Sequence, residues 1–198
     1  MIILMLMTAR THDAFAFASL LTVAVLFPPA SLNLVTLVGG IVANIIGSLI
    51  PDMDQASNRL WDLLPAGDHL SRVFRRIFIK HRTITHSLLG LYLIYKVLEW
   101  LLPRVLNPEY VDANIILVSM MVGYVSHLIA DSFTKDGLPL FFPIQWSIGF
   151  PPLRALRITT GTWVESWIVL PVVGAYIFWF IGHYQLELIV LLSLLKTA

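Results

Sequence analysis

The stretch ANIILVSMMVGYVSHLIA, residues 113–130, is long and apolar enough to cross a bilayer as one helix. Similar stretches recur along the chain, at about residues 14–27, 32–50, 84–102 and 163–181, with a shorter one at 186–195. None alternates apolar and polar residues with the period of two that is typical of barrel strands. The pattern predicts an all-α, polytopic membrane protein with four or five transmembrane helices, forming a single domain over residues 1–198.

The composition supports a protein that is solvated by lipid. Of the 198 residues, 58% are hydrophobic and 13% are charged, against about 45–50% and 25% in soluble domains. These values exclude a disordered chain, a soluble globular enzyme and a nucleic-acid-binding module with a basic face, so no nucleic acid partner is expected. The chain has no cysteine, so any metal ligands must be histidine, aspartate or glutamate.

Basic residues predict the orientation. Ten of them fall on one side of the predicted membrane, at Arg10, Arg59, Arg72, Arg75, Arg76, Lys80, Arg82, Lys135, Arg154 and Arg157. The opposite side has Arg104 in its loop. The positive-inside rule therefore predicts an inner-membrane protein with its N-terminus and both long loops in the cytoplasm.

Ionisable residues at the ends of these apolar stretches indicate a functional site. They form five short clusters, at residues 11–13, 51–54, 81–87, 123–131 and 161–165. The first, third and fifth predicted helices begin on the cytoplasmic side, and the second and fourth end there. All five clusters are therefore expected at the same membrane face.

Spacing within the clusters is suited to metal binding. His127 and Asp131 are four residues apart, so they share one face of a helix. Asp54 either joins Asp52 in the site or caps a following helix. His81 and His86 share a site only if His81 lies in the loop before the helix begins. Oxygen and imidazole ligands suit Zn²⁺, Mn²⁺, Fe²⁺ or Mg²⁺, and more than four candidates suggest two or three ions.

Several motifs also resemble those of a known family. They are Pro-Asp-x-Asp at 51–54, His-Arg-x-x-Thr-His-Ser at 81–87, Gly-x-x-Ser-His-x-x-x-Asp at 123–131 and the segment 134–143. Together they resemble the YdjM-like family of membrane-bound metal-dependent hydrolases, over residues 8–170. That family is considered distantly similar to zinc-dependent phospholipases C and single-strand nucleases, so the resemblance implies hydrolysis of a phosphate ester or phosphodiester.

The clusters and the resemblance together give a candidate site at the cytoplasmic ends of the helices. Its candidate metal ligands are His12, Asp52, Asp54, His81, His86, His127 and Asp131. Glu165 is either a further ligand or the general base, and Arg82 is the candidate to offset charge on a phosphoryl oxygen. A site at the depth of lipid headgroups favours a lipid or lipid-linked phosphate as substrate.

Two other classes of function remain open at this stage. The first is a metal-binding membrane protein without catalysis, such as a transporter or sensor. Transporters carry polar residues through the middle of their spans, whereas here Asn44 and Ser119 are the main mid-span polar residues. The second is a structural assembly factor whose histidines and aspartates make buried hydrogen bonds.

Overall fold

In the part of the chain that the structure describes, six α-helices form the framework. The computed structural model describes residues 2–53, 60–63, 84–144 and 146–196. The helices are α1 (Ile2–Leu26), α2 (Leu34–Leu49), α3 (Leu88–Val105), α4 (Ala113–Ser132), α5 (Leu170–His183) and α6 (Gln185–Ser193). A π-helical turn, Glu165–Val169, leads into α5. In the described ranges the β contacts are two isolated bridges, so the all-α prediction is confirmed.

Polar side chains set where three of the helices begin. The side chain of Asn33 accepts the backbone N–H of Thr36 at the start of α2, and Asp112 caps α4 in the same way. Ser87 caps α3 by accepting the N–H of Gly90. Each cap satisfies an N–H that has no partner within its own helix. Because Ser87 is the cap, α3 begins later than the predicted start near residue 84, and residues 84–86 form a separate 3₁₀ turn.

Among the described residues, two helices are long and apolar enough by themselves to cross a membrane. They are α4 and the continuous helix Glu165–His183. That is fewer than the four or five predicted from the sequence. The apolar helix α2 has only 16 residues, and α3 carries three charged side chains, Lys96, Glu99 and Arg104.

The closest helix packing is between α2 and α4. A Cβ atom on Gly47 would overlap the carbonyl of Met120, and one on Gly123 would overlap the carbonyl of Asn44. Glycine at both positions therefore lets the two backbones touch. The Asn44 amide also donates to the Ser119 carbonyl at 3.1 Å, across the same interface. This contact fixes α4, which carries two of the candidate ligands, against the end of α2.

Adding a methyl group at Gly123 is expected to destabilise the protein. Overpacking costs about 1–3 kcal/mol in well-packed cores, and here the clash is with backbone that cannot rotate away. Gly174 in α5 provides a matched control, because nothing lies within 4 Å of a Cβ built there. Thermal melts in detergent should show a lower Tm for Gly123→Ala and an unchanged or slightly higher Tm for Gly174→Ala. Equal melting of the two variants would contradict the close approach of α2 and α4.

Candidate metal centre

Four parts of the chain bring the candidate ligands together at one end of the helices. His12 lies in α1, and Asp52 lies in the turn that follows α2. His86 is the last residue of the 3₁₀ turn before α3. His127 and Asp131 lie one helical turn apart in α4. The side chains of His86, His127 and Asp131 are almost fully buried, and that of Asp52 is partly exposed.

Four of these side chains face a common point. His86 Nε2 is 3.3 Å from Asp52 Oδ1 and 3.4 Å from Asp131 Oδ2. His127 Nε2 is 3.7 Å from each of the same two oxygens. Ligands about 2.0–2.1 Å from a tetrahedral zinc ion lie about 3.3–3.4 Å apart. These four distances approach those edge lengths, so the four side chains are placed to share one divalent ion.

His127 gives independent support for an ion at this point. Both of its ring nitrogens are buried, and no described residue forms a hydrogen bond with either of them. At 3.7 Å the two carboxylate oxygens are too distant from Nε2 for such a bond. A buried imidazole without hydrogen bonds is costly, and a cation coordinated by Nε2 would give that nitrogen a partner. The residues present therefore fit a divalent metal ion.

Asp131 also faces a third imidazole. His12 Nε2 lies 3.7 Å from Asp131 Oδ1, the other oxygen of the carboxylate. The His12 ring stacks on the His127 ring, with 4.2 Å between centroids and 18° between planes. Ligand atoms of His12, His127 and Asp131 all lie within 4.8 Å of one another, as do those of Asp52, His86 and His127. The site thus has two overlapping groups of possible ligands.

A second layer of side chains holds His86 in place. The Thr85 hydroxyl lies 3.2 Å from His86 Nδ1, so the other ring nitrogen is left facing the carboxylates. The Tyr124 hydroxyl donates to the Thr85 carbonyl and so ties the 3₁₀ turn to α4. Such outer partners orient metal-binding histidines in known sites. Sequence reasoning assigned no role to Thr85 or Tyr124, although each lies within three residues of a predicted ligand.

Charges within the cluster perturb its titration. Burial alone would raise the pKa of Asp52, but the nearby imidazoles of His86 and His127 hold that pKa well below its usual range. Burial also acts to lower the pKa of His86, and the carboxylates of Asp131 and Asp52 outweigh it, so that the pKa is raised. Metal binding at His86 therefore competes with a proton that the two carboxylates favour.

The remaining predicted site residues lie elsewhere or outside the described ranges. Glu165 is buried, and its Oε2 accepts the backbone N–H of Gly161 at 2.8 Å. Neither group of converging ligand atoms among the described residues includes Glu165, so its role as ligand or base stays a prediction. Asp54, His81 and Arg82 lie outside the described residues.

Comparison with known proteins places this chain in a family. The family model described as YdjM inner membrane protein matches residues 7–195. The chain belongs to the YdjM family. The inner membrane protein YdjM of Escherichia coli is 33% identical over 151 residues, covering 74% of this chain and 71% of that protein. The same identity and coverage hold for YdjM of Shigella flexneri.

A further relative comes from a different organism. The uncharacterized protein YvsG of Bacillus subtilis is 31% identical over 140 residues, covering 70% of this chain and 77% of that protein. No solved structure matches the chain significantly. The family and its named members confirm the predicted membrane location, and the converging histidines and aspartates form a possible metal-binding site.

Proposed function

We propose that this protein is a membrane-embedded, metal-dependent hydrolase of a phosphate ester in a lipid or lipid-linked substrate. The observation that carries the proposal is the convergence of Asp52, His86, His127 and Asp131 around one buried point. Carboxylate and imidazole ligands without thiolate are typical of hydrolytic metal centres. Zn²⁺ agrees best with the ligand spacing.

Asp52, His86, His127 and Asp131 would hold one divalent ion. The second group, in which His12 approaches the other oxygen of Asp131, would allow a further ion. A bound ion would lower the pKa of a water molecule in the site and stabilise charge on a phosphoryl oxygen. The water adds to phosphorus, the ester P–O bond breaks, and the alcohol leaves with a proton. Glu165 would orient this water or accept its proton, and Arg82 would offset phosphoryl charge.

The loop that follows α4, which includes Leu140, Trp146, Phe150 and Leu153, favours a lipid substrate. The backbone N–H of Phe150 donates to the carbonyl of Ser132, next to Asp131, and the Leu88 N–H donates to the Leu140 carbonyl. Around these anchors the loop exposes large apolar side chains, including Trp146 at 72% and Leu153 at 67% of their surface. Exposed tryptophan and leucine suit the headgroup region of a bilayer. A substrate in that region would reach the metal centre without leaving the membrane.

The proposal includes four or five membrane spans. Helix α3 has 18 residues, or about 27 Å of helix, which is close to the thickness of the hydrocarbon core. Its three charged side chains have partners on the same helix. Lys96 Nζ lies 2.7 Å from Glu99 Oε2, and Arg104 stacks on Trp100 near the helix end. The preceding helix, α2, would span by using the flanking residues around Asn33 and Pro51. With α1, α4 and Glu165–His183, these make five candidate spans.

Single cysteines test this topology cleanly, because the chain has none of its own. We expect Lys135→Cys to react with an impermeant maleimide only from the cytoplasmic side, and Asn107→Cys only from the opposite side. Both positions are exposed and lie in loops at opposite ends of α4. Labelling of both cysteines from the same side would contradict the span of α4 and with it the proposed orientation.

Transport or sensing is the alternative that a hydrolysis assay must separate. The mid-helix pair Asn44 and Ser119 is engaged in a hydrogen bond between helices, which gives no support to a polar path across the membrane. The direct test is hydrolysis of a panel of phospholipids and polyprenyl phosphates, followed by the alcohol released together with phosphate or a phosphomonoester, in detergent with added Zn²⁺ or Mn²⁺. Turnover of a panel member supports the enzyme. Metal binding without any turnover favours the non-catalytic alternative.

A further inference from the structure

Helix α3 carries a row of exposed side chains that repeats at intervals of three and four residues. The row, which we call the α3 seam, consists of Leu89, Tyr92, Lys96, Glu99 and Pro103. Alternating intervals of three and four are those of the a and d positions of a coiled coil, which lie along one side of a helix. The other side of α3 packs on the core through Leu91, Ile94 and Leu98. The seam therefore lies on the outside of the helix bundle.

Two charged residues of the seam lie at the middle of α3. Lys96 is about 12 Å from Leu88 and about 14 Å from Val105, the two ends of the helix. In the proposed span, this depth is near the centre of the hydrocarbon core. The side chains of Lys96 and Glu99 are nevertheless 49% and 43% exposed. Ionisable side chains within membrane spans almost always face other helices or a water-filled cavity. The exposed pair therefore indicates that protein, rather than lipid, covers the seam.

Contacts within α3 balance these charges but do not use all of their bonding capacity. Lys96 Nζ donates to Glu99 Oε2 at 2.7 Å, and the Tyr95 hydroxyl donates to Glu99 Oε1 at 2.7 Å. An ammonium group has three N–H donors, and each carboxylate oxygen can accept more than one hydrogen bond. A neighbouring helix that offers both a donor and an acceptor at this depth would use the remaining capacity.

We propose that the α3 seam pairs with the same seam of a second copy of this chain, forming a two-fold symmetric dimer. The inference rests on the proposed span of α3, and it does not depend on hydrolysis. A two-fold axis normal to the membrane makes the two helices parallel and brings the same surface of each together. In such a pair, a residue at an a position packs beside a d position of the partner helix. Lys96 of each copy then lies beside Glu99 of the other.

A second copy suits the seam because the seam is complementary to itself. Hydrocarbon offers Lys96 and Glu99 neither a donor nor an acceptor, whereas the four charges of two copies form a closed network. Leu89 and Tyr92, with Trp100 beside the seam, are exposed and would cover this network with apolar surface. Polar side chains at isolated positions of a coiled-coil seam fix the register and the number of helices. The charged pair would therefore specify the dimer.

Cysteine crosslinking in membranes tests the dimer, because the chain has no cysteine of its own. In a parallel two-fold pair, each seam position lies close to the same position of the other copy. We therefore expect Leu89→Cys and Tyr92→Cys each to form a disulfide-linked dimer on mild oxidation. Phe178→Cys is the matched control, since Phe178 is highly exposed on α5 and lies away from the seam, and this variant should remain monomeric. Equal crosslinking of the three variants would overturn the proposal.

Exchange of the two charges tests what holds the dimer together. Lys96→Glu should lower the crosslinking of Tyr92→Cys at least about tenfold, because four carboxylates would then meet at the contact. Adding Glu99→Lys to that variant exchanges the two charges and should restore the crosslinking. This double variant also shows that the chain tolerates the changed residue at position 96. Crosslinking that is unaffected by Lys96→Glu, or that Glu99→Lys does not restore, would overturn the charge pairing and with it the proposal.

Labelling from the two sides of the membrane separates failure of the dimer from failure of the span. Asn58, which lies outside the described residues, precedes α3 in the sequence, and Asn107 follows it. Single cysteines at these positions should react with an impermeant maleimide from opposite sides. Opposite labelling without crosslinking of Leu89→Cys and Tyr92→Cys would refute the dimer and leave the span standing. Labelling from the same side would refute the span of α3 and the dimer together. Neither measurement needs turnover, so the hydrolase proposal is decided separately by its own assay.

Discussion

Replacing Asp131 with asparagine is expected to weaken zinc binding by more than about 100-fold. Its two carboxylate oxygens face three imidazoles, His12, His86 and His127, at 3.4–3.7 Å. Asparagine preserves the size of the side chain but removes its charge and one of its two oxygens. Changes to residues that only orient metal ligands already cost about 10–100-fold in affinity. Losing a carboxylate that faces all three imidazoles should cost more.

The measurement is competition for Zn²⁺ against a fluorescent chelator in detergent. Asp136→Asn provides the control, because this aspartate is five residues further along the chain and its side chain is largely exposed. We expect Asp136→Asn to bind zinc as the wild type does. Wild-type affinity in Asp131→Asn, with unchanged thermal melting, would mean that Asp131 is not a ligand.

Hydrolysis of a lipid phosphate is expected to fall by at least about 10²–10⁴ in His86→Ala and in Glu165→Gln, for different reasons. His86 is a candidate ligand, and its removal should abolish metal binding and turnover together. Glu165 is the candidate general base, and loss of such a base typically lowers the rate by about 10²–10⁴. The metal content of Glu165→Gln should remain that of the wild type. The assay is release of the alcohol product from the substrate that is turned over fastest in the panel, with bound metal measured on the same samples.

Tyr124→Phe separates the positioning of His86 from its chemistry. Among the described residues, the Tyr124 hydroxyl is linked to the site by its hydrogen bond to the Thr85 carbonyl. This variant should lose part of its zinc affinity, within the range of about 10–100-fold for residues that orient ligands.

If His86→Ala and Glu165→Gln release product as fast as the wild type, the hydrolase proposal is wrong.

Much of the candidate site could be predicted from the sequence, because the spacing of residues predicts which side chains share a helix face and the basic residues predict the topology. The interval of four residues between His127 and Asp131 fixes their common face before any fold is known. The positive-inside rule then brings the ends of the helices to one side. That argument predicted that His12, Asp52 and His86 would join them, although nearly 120 residues separate His12 from Asp131 in the chain.

Other features depend on packing that periodicity does not reveal. Ser87 is a good N-cap, so α3 begins there and leaves His86 in a 3₁₀ turn, which no hydrophobic pattern distinguishes from a first helical turn. The contact of Tyr124 with Thr85 joins two segments 39 residues apart and has no local signal. The π-helical turn at Glu165 likewise follows from tertiary contacts. Because of this turn, the side chains of Glu165–Val169 do not follow the α-helical spacing that the sequence suggests.

The central claim is that the buried cluster of histidines and aspartates holds a metal ion, and elemental analysis tests it most directly. The protein should be purified in detergent without added metal, as wild type and as His127→Ala. We predict about one or more equivalents of a divalent transition metal in the wild type and less than about one-tenth of that in the variant, because His127 belongs to both groups of candidate ligands and both lose it. A folded wild-type protein that carries no metal, and that takes up none when Zn²⁺ or Mn²⁺ is added, would contradict the account.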